Sequence, residues 1–366
     1  MKAIVFGVTG QDGSHLAELL LMKQYEVIGV ARRSSVDTTE RIQHLVGRPG
    51  FDLVHGDITD VSSVLGIIRD NDDVDEVYNL AAQSHVGVSF KQPGLTWDIT
   101  GKGCFNILQS IVDLGLKCKF YQASSSEMFG DSYSVSRDGK KYQNEETKFL
   151  PQSPYAIAKC AAHYAVRLFR EAYGLHASAG ILFNHESPRR GETFVTRKIT
   201  RGLTRIDAGL DKCLYIGNLN SERDWGHARD YVEMQWLMLQ QDKPKDYVIS
   251  TGRAESVRKF AEISAKYLGW NSDGESGIIW EGEGLNEVGR RADTKEIVIK
   301  VDPRYFRPTE VDFLLGESHK AKKELGWEPK ISLEELIEEM IQHDKEEAKK
   351  ESLLRDSGFT VNSSQE

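Results

Sequence analysis

The sequence predicts an α/β protein in which helices cover both faces of a doubly wound parallel sheet, followed by a smaller α+β part. Short apolar runs alternate with amphipathic helical patterns through the first half of the chain, which is typical of such a sheet. The order loosens after about residue 184, where helical patterns surround irregular polar passages. With 366 residues, 39% of them hydrophobic, the chain can bury one large core or two adjoining ones.

Hydrophobic periodicity predicts the individual elements. Strands are predicted at residues 2–6, 26–31, 51–55, 76–81, 119–123 and 176–183. Helices are predicted at residues 14–22, 61–69, 102–114, 197–208, 228–241, 256–269 and 333–343, and irregular structure at 274–308. We expect one domain over 1–184 with a returning segment near 221–254, a second over 185–220 and 255–345, and a disordered tail over 346–366.

Composition and charge argue against several classes of function. A net charge of −9 without a long basic run disfavours a nucleic-acid partner, although a local basic pocket for phosphates is allowed. The four cysteines (Cys104, Cys118, Cys160 and Cys213) are scattered, so we expect neither disulfides nor a metal site, and a cytoplasmic location fits. The first residues predict a strand rather than a signal peptide, and no apolar run approaches the roughly 20 residues of a membrane helix.

A glycine-rich loop, GVTGQDG at 7–13, lies between the first predicted strand and the first predicted helix. Gly7 allows the sharp turn, Gly10 lets the backbone approach a pyrophosphate, and Gly13 lets the helix pack close to the strand. The helix N-terminus then offers N–H groups and a positive dipole end to the anion. A plain glycine-rich turn is the alternative, but the strand–loop–helix context favours a Rossmann-type dinucleotide site. Its binding residues are predicted to be Gly7, Thr9, Gly10, Gln11, Asp12 and Gly13.

The residues after the next three strands indicate which dinucleotide binds. Where a ribose 2′-hydroxyl usually meets an acidic residue, this chain has Arg32 and Arg33, which suit a 2′-phosphate. We therefore expect NADP rather than NAD, with a solvated basic turn or a subunit contact as the alternative. The adenine is expected beside Asp57 and Ile58. The middle of the cofactor is expected to lie along Leu80, Ala81, Ala82 and Ser84.

The catalytic candidates follow the fifth predicted strand. Tyr155 and Lys159 stand one helical turn apart, so the ammonium can lower the pKa of the phenol, and the phenol can accept a proton from a substrate hydroxyl as hydride leaves its carbon. Such a pair also occurs by chance on surface helices, but here it follows Ser125 and Glu127. Ser125 can bond the same substrate oxygen. Glu127 can remove the proton beside a newly formed ketone, or it can be a helix-capping carboxylate.

Three longer stretches carry a resemblance to a known family. They are FNHESPRRGETFVTRK at 183–198, GNLNSERDWGHA at 217–228 and DPRYFRPTEV at 302–311. With them, and with the motifs above, the chain resembles the GDP-mannose 4,6-dehydratases, a family of extended short-chain dehydrogenases/reductases, over roughly residues 1 to 345. The GxxGxxG spacing of the glycine loop is similar to that of the extended enzymes.

The resemblance implies roles for individual residues. Ser125, Glu127, Tyr155 and Lys159 are implied to be catalytic, with Lys159 also holding the nicotinamide ribose, and His185 and Arg190 are implied to touch the cofactor. The residues implied to hold GDP-mannose are Asn184, Lys198, Arg223, Arg304 and Glu310. The chemistry agrees, because a diphosphate needs basic partners and a carboxylate can accept the N–H groups of guanine. Taken singly, each of these residues is more simply a surface charge.

The implied reaction consumes no net cofactor. Tyr155 accepts the 4-hydroxyl proton while C4 gives hydride to NADP, Glu127 removes the acidified C5 proton, and water leaves from C6. The hydride then returns to C6 and C5 is reprotonated, which gives GDP-4-keto-6-deoxy-mannose. Two alternatives on the same scaffold are a UDP-sugar 4-epimerase and a UDP-glucuronate decarboxylase. A non-catalytic dinucleotide sensor is an alternative from another class, and a 4-keto reductase side activity stays open.

The resemblance also implies a homo-oligomer, dimer or tetramer, in which residues 32–39 lie near a neighbour's cofactor. No apolar interface can be recognised in the sequence alone. One departure from the family is the hydrophilic stretch at 131–148, which looks longer than in many members and is expected to be a lid or a surface loop.

Overall fold

The chain is described over residues 1–271 and 276–361 by a computed structural model. Its strands, in chain order, are β1 Lys2–Phe6, β2 Glu26–Ala31, β3 Phe51–His55, β4 Glu76–Asn79, β5 Lys119–Ser125, β6 Ser134–Val135, β7 Lys141–Tyr142, β8 Ala177–Leu182, β9 Asn184–Glu186, β10 Leu214–Ile216, β11 Glu222–His227, β12 Tyr247–Ile249, β13 Ala254–Ser256, β14 Ile278–Glu281, β15 Val288–Arg291, β16 Ile297–Val301 and β17 Phe313–Leu314. Its helices are α1 Gln11–Met22, α2 Val61–Arg69, α3 Val86–Lys91, α4 Pro93–Thr96, α5 Gly103–Asp113, α6 Pro154–Tyr173, α7 Val195–Asp207, α8 Ala228–Leu239, α9 Val257–Tyr267, α10 His319–Leu325 and α11 Leu333–Asp356. None of the described helices is both long enough and apolar enough to cross a membrane.

The chain divides into two compact units. Unit 1 comprises Met1–His185, Ala228–Arg253 and Leu314–Lys330, and unit 2 comprises Glu186–His227, Ala254–Phe313 and the chain from Ile331 onward. The division differs from the predicted domains chiefly at Leu314–Lys330, which the sequence assigned to the second domain. That segment belongs to unit 1 because its apolar side chains pack there.

The packing of this segment is specific. Ala321 and Trp327 are part of a unit 1 core cluster, and Trp327 Nε1 donates a hydrogen bond to the Asp230 carbonyl at 3.0 Å. Two separated apolar residues make no helical periodicity, so no pattern in the sequence indicated that the chain returns to unit 1 here.

Unit 1 is built around a seven-stranded sheet in the order β12-β8-β5-β4-β1-β2-β3, and every pairing is parallel, which confirms the predicted fold class. Alternate residues of β1 enter different cores: Ala3 and Val5 lie in one buried cluster, and Ile4 and Phe6 lie in the other. Burial on both faces explains why the strands are continuous apolar runs. The strand order reverses between β1 and β4, so the carboxyl ends of these strands open a crevice where such sheets bind ligands.

Unit 2 contains a second, smaller sheet in the order β10-β16-β15-β14. Strand β15 is antiparallel to both neighbours, whereas β10 runs parallel to β16. The sheet and helices α7, α9 and α11 share a buried cluster that includes Leu203, Phe260, Trp270 and Met340. This unit is the α+β part that the sequence predicted.

Two predictions for unit 2 are wrong within the described residues. The passage at 274–308 was expected to be irregular, but it contains β14, β15 and β16, whose short lengths and charged residues conceal their alternation; residues 274 and 275 lie outside the description. The tail at 346–366 was expected to be disordered, but α11 continues to Asp356. Ala348 is buried on this helix and Glu351 pairs with Arg205, so tertiary contacts sustain it; residues 362–366 lie outside the description.

The stretch at 131–148 is a hairpin anchored to unit 1. Its strands β6 and β7 pair with each other, and beyond them Gln143 Oε1 accepts from the Leu315 N–H at 2.9 Å. Glu145 Oε1 accepts from the N–H of Val248 at 2.8 Å, on the edge strand β12. Burial raises the pKa of Glu145. These bonds hold the hairpin on the sheet edge.

Candidate active site

The glycine loop is a tight backbone structure at the carboxyl end of β1. Gly7 has a φ of +86°, and its carbonyl accepts from the N–H of Gly10 at 3.0 Å. A Cβ atom on Gly13 would lie 2.3 Å from the Gly7 oxygen and 2.6 Å from Val8 Cα, so no larger residue fits there. Helix α1 begins at Gln11, earlier than the predicted 14, and no side chain caps it at Gly10. The loop therefore presents a helix N-terminus of the kind that binds phosphates.

Asp12, in the first turn of α1, is the centre of a polar cluster. Its Oδ2 lies 2.7 Å from His185 Nε2 and accepts from Gln235 Nε2 at 3.3 Å. The other ring nitrogen of His185, Nδ1, lies 2.8 Å from the Phe183 carbonyl oxygen. Both ring nitrogens of His185 thus face oxygen atoms, one of a backbone carbonyl and one of the Asp12 carboxyl group. The structure therefore brings His185 to the glycine loop.

Two members of this cluster were missed by the sequence analysis. Gln235 and Tyr231 both lie on α8, and the Tyr231 ring stacks on His185 with 4.6 Å between centroids. The sequence contains no motif that marks them. The one feature of the sequence that could have indicated them is the predicted return of the chain near residues 221–254, which places α8 in the first unit.

The other predicted cofactor residues follow strands of the same sheet. Arg32 and Arg33 come directly after β2, and both are exposed. After β3, Asp57 Oδ1 accepts from the N–H of Thr59 at 2.9 Å and Ile58 is buried. After β4, the Leu80 N–H donates to the Phe6 carbonyl at 3.0 Å, which holds this loop beside β1. The half-buried or exposed residues of that loop are Leu80, Ala81, Ala82 and Ser84.

Tyr155 and Lys159 are both buried, so they do not lie on the exposed face of α6. Ser153 caps this helix by accepting from the N–H of Ala156, and Pro154 begins it. Lys159 Nζ donates to the Ala123 carbonyl at 2.7 Å and lies 5.7 Å from the centroid of the Tyr155 ring. Burial lowers the pKa of Lys159 to about 8, and the nearby Cys104 and Asp12 partly oppose the shift.

Ser125 and Glu127 stand at the end of β5, against α6. Ser125 Oγ accepts from the Glu127 N–H at 3.2 Å and so caps the short 3₁₀ turn Ser126–Met128. Ser125 is therefore the cap of this turn. Both side chains are buried, and α6 packs on this turn. The structure thus brings Ser125, Glu127, Tyr155 and Lys159 together at the carboxyl end of the sheet.

A neutral hydrogen-bond chain supports this end of β5. Asn79 Nδ2 donates to Gln122 Oε1 at 2.7 Å, and Gln122 Nε2 donates to the Ala123 carbonyl at 2.9 Å. The Ala123 oxygen therefore accepts from both Gln122 and Lys159. Because β4 pairs with β5 only as far as Gln122, side chains take over where the backbone ladder stops.

The predicted substrate residues divide between the units. Asn184 lies in unit 1, beside His185, whereas the others lie in unit 2. In unit 2, Lys198 Nζ sits 3.2 Å from the centroid of the Tyr305 ring. Arg223 is buried and donates to the Glu222 carbonyl at 2.9 Å. Glu310 Oε1 accepts from the Arg307 N–H at 3.0 Å.

Two predicted arginines in unit 2 are already paired with carboxylates. Arg190 Nε lies 2.9 Å from Glu186 Oε2, and its guanidinium stacks on Phe194 at 3.8 Å from the ring centroid. Arg304 is exposed and donates to both oxygens of Asp302. These pairs fix the direction of each guanidinium and leave further donors on it, since a guanidinium has five.

A parallel sheet with a glycine-rich first turn, and with Tyr155 and Lys159 at its carboxyl edge, defines a dinucleotide-dependent enzyme fold of the short-chain dehydrogenase/reductase type. The family model described as GDP-mannose 4,6 dehydratase matches residues 4–340. The chain therefore belongs to the GDP-mannose 4,6-dehydratase family.

Named relatives are similar over their full length. A GDP-mannose 4,6-dehydratase of Vibrio cholerae is 49% identical, with 100% of this chain and 99% of the relative covered. A human GDP-mannose 4,6 dehydratase is 48% identical, with 94% of this chain and 91% of the relative covered.

Solved structures share the fold at lower identity. A UDP-glucose 4-epimerase of Thermotoga maritima with UDP-glucose superposes with a TM-score of 0.75 at 24% identity, covering 95% of this chain and 99% of the epimerase. RMD of Pseudomonas aeruginosa, complexed with NADPH, has a TM-score of 0.71 at 20% identity, covering 94% of this chain and 99% of that chain. These neighbours support the fold alone.

The pKa of Lys159 can be tested directly in the cofactor-free protein. Burial disfavours the ammonium, so ¹³C-methylated lysine spectra should show one resonance that titrates near pH 8 and disappears in Lys159→Met. Asp12→Asn should lower that pKa further, because the Asp12 charge raises it. Lys330, whose pKa Glu233 raises, is the internal reference. A Lys159 resonance that titrates with the ordinary lysines would contradict this assignment.

Proposed function

We propose that this chain converts GDP-mannose to GDP-4-keto-6-deoxy-mannose, with unit 1 holding the dinucleotide and unit 2 supplying basic residues for the nucleotide sugar. The observation that carries the proposal is the buried group of Ser125, Glu127, Tyr155 and Lys159 at the carboxyl end of the sheet, in a chain of this family. A dehydration needs a proton acceptor for a hydroxyl and a second one for a carbon, and this group contains both.

The glycine loop fits a dinucleotide, since a Cβ at Gly13 would meet backbone atoms and no side-chain hydrogen bond caps α1 at Gly10. When bound, a nicotinamide would supply the acceptor for the C4 hydride and give that hydride back at C6. Tyr155 accepts the 4-hydroxyl proton as a phenolate, and the ammonium of Lys159 stabilises that phenolate before the proton arrives. The bond from Lys159 to the Ala123 carbonyl holds the ammonium in place.

Glu127 distinguishes a dehydratase from a simple oxidoreductase. A ketone at C4 makes the C5 proton acidic, and the carboxylate of Glu127, buried on the turn that follows Ser125, can remove it. The same group, once protonated, can protonate the hydroxyl that leaves from C6, and C5 takes a proton from solvent when the hydride returns to C6. A UDP-sugar 4-epimerase needs no such base, and a UDP-glucuronate decarboxylase acts on a sugar acid, so product analysis separates these alternatives.

For the cofactor we infer NADP. Arg32 and Arg33 lie exposed directly after β2, at the position where a 2′-phosphate would meet guanidinium groups. No carboxylate stands at this point to accept a ribose 2′-hydroxyl. Free thiols at all four cysteines fit the reducing cytoplasm expected for such an enzyme.

We also infer a homo-oligomer, from a face that the sequence analysis did not recognise. On α6, Ile157, Ala161, Tyr164 and Leu168 have the 4-3-4 spacing of a coiled-coil seam, and Ile157, Tyr164 and Leu168 are each about half exposed. Phe105 of α5 is also exposed and its ring lies 6.2 Å from that of Phe169. A helical seam of this kind is self-complementary about a two-fold axis, so its partner is a second copy of the chain.

The role of Glu127 predicts a split between two partial reactions. In Glu127→Gln, product formation should fall by about a hundredfold or more, because the C5 base is gone, while reduced nicotinamide should still accumulate on the protein. Mass analysis of the product, with no added reductant, should show loss of one water in the parental protein, with C5 exchanging deuterium from solvent. Glu171→Gln, an exposed change on α6, is the control. Parental product formation by Glu127→Gln would refute this role.

The role of Arg32 and Arg33 predicts a change in cofactor preference. Replacing both by Ser should weaken NADPH binding by about a hundredfold or more, since each of the two charged hydrogen bonds lost is worth roughly 1.5–3 kcal/mol. NADH binding should not change. Arg48→Ser, an exposed change before β3, should affect neither titration. Equal losses for both cofactors would show that the arginines do not contact the 2′-phosphate.

The α6 seam predicts the effect of charge on assembly. Tyr164→Glu combined with Leu168→Glu should convert the oligomer to smaller species in light scattering, because four carboxylates would face one another across a two-fold axis. Val61→Glu places the same charge on an exposed residue of α2 and should leave the mass unchanged. A parental mass for the double variant would place the interface elsewhere.

A further inference from the structure

Two consecutive residues at the end of β5 are each bonded to helix α6. Lys159 Nζ donates to the Ala123 carbonyl at 2.7 Å, and one turn later His163 Nδ1 lies 3.0 Å from Ser124 Oγ. The next residue of the strand is Ser125. The strand is therefore attached to the helix at two adjacent points directly before the segment that contains Ser125 and Glu127.

The contact between Ser124 and His163 is enclosed by protein. Ser124 is 2% exposed and His163 8% exposed, and the Phe149 ring meets the imidazole edge-on with 5.2 Å between centroids. Burial lowers the pKa of His163; the charge of Asp246 opposes the shift, and those of Arg170 and Arg167 add to it. A neutral imidazole has one donor and one acceptor nitrogen, so it can bond the serine hydroxyl in either tautomer.

Neither Ser124 nor His163 is placed to touch a reacting atom. Successive side chains of a strand point to opposite faces, so the Ser124 side chain that meets α6 lies on the other face from that of Ser125. His163 follows Lys159 by one turn of α6 and Tyr155 by two. A slide of α6 along β5 would move Tyr155 and Lys159 together, away from their positions relative to Ser125 and Glu127.

We propose that His163 is a positioning residue, whose bond to Ser124 sets the placement of Tyr155 and Lys159 relative to Ser125 and Glu127. The inference rests on the proposed dehydration. The bond between His163 and Ser124 influences the reacting groups through the rigid helix α6, and displacement of a catalytic group by about 1 Å can cost about a hundredfold in rate. We therefore expect loss of this bond to lower kcat before it weakens substrate binding.

The test uses variants that separate the hydrogen bond from the packing of the ring. His163→Phe keeps an aromatic ring against Phe149 but cannot bond Ser124, whereas His163→Asn keeps a polar nitrogen or oxygen near the position of Nδ1. Ser124→Ala removes the partner. With GDP-mannose as substrate, His163→Phe and Ser124→Ala should each lower kcat by about tenfold to a hundredfold with KM within about twofold of the parental value. His163→Asn should recover most of the loss.

A double variant and a control complete the design. Because both changes remove the same bond, Ser124→Ala with His163→Phe should be no slower than the slower single variant. His319→Phe, an exposed histidine on α10, should behave as the parental enzyme. Parental kcat in His163→Phe, a multiplicative loss in the double variant, or no recovery with His163→Asn would each overturn the proposal.

A second readout does not require turnover. Amide hydrogen exchange over residues 124–128 and 153–160 should be faster in His163→Phe and Ser124→Ala, and parental in His163→Asn. If the parental protein did not dehydrate GDP-mannose, the proposed function would fail, and exchange would still test the attachment of α6. Unchanged exchange in His163→Phe would refute it whatever the substrate.

Discussion

The site depends on one buried ammonium at the carboxyl end of β5. A charge removed from water is costly unless it is hydrogen-bonded or paired, and Lys159 is hydrogen-bonded. Its Nζ donates to the Ala123 carbonyl, and Asp12, on the glycine loop, raises its pKa against the effect of burial. The lysine therefore couples two parts of unit 1 that the chain separates widely, namely the loop after β1 and the helix α6.

The parallel sheet explains why these parts can meet. In a parallel arrangement the loops that follow β1, β4 and β5 all emerge at the same edge, so residues distant in sequence become neighbours. The requirement is strict at Gly13, where a Cβ would meet the Gly7 oxygen at 2.3 Å. The glycine loop and the Tyr155–Lys159 pair therefore depend on the same condition, which is the close approach of backbone and side chains at one edge of the sheet.

Much of this arrangement could be predicted, because burial on two faces makes the sequence pattern simple. The bounds predicted for β1, β2, β3 and α2 agree with the structure, since apolar runs and a strong amphipathic period mark them. The predictions failed where contacts rather than periodicity decide the structure. Strands β14 to β16 are short and charged, and the end of α11 is held by tertiary partners such as Arg205.

The same distinction applies to the site. Tyr155, Lys159, Ser125 and Glu127 could be found because spacing and strand order reveal them. Gln235 and His163 could not, because each acts on a residue far away in sequence, Asp12 and Ser124 respectively. A single sequence carries no record of such pairs.

The two units hold their site residues by different kinds of partner. In unit 1 the partners are mostly backbone atoms: Lys159 meets the Ala123 carbonyl, His185 meets that of Phe183, and Ser125 meets the Glu127 N–H. Such partners remain in place whatever ligand binds, which suits groups that must be positioned before the chemistry. In unit 2, Arg190 and Arg304 are held by the carboxylates of Glu186 and Asp302. Since a carboxylate engages at most two of the five guanidinium donors, these arginines can be oriented by protein and still bind a phosphate, so orientation and binding need not compete.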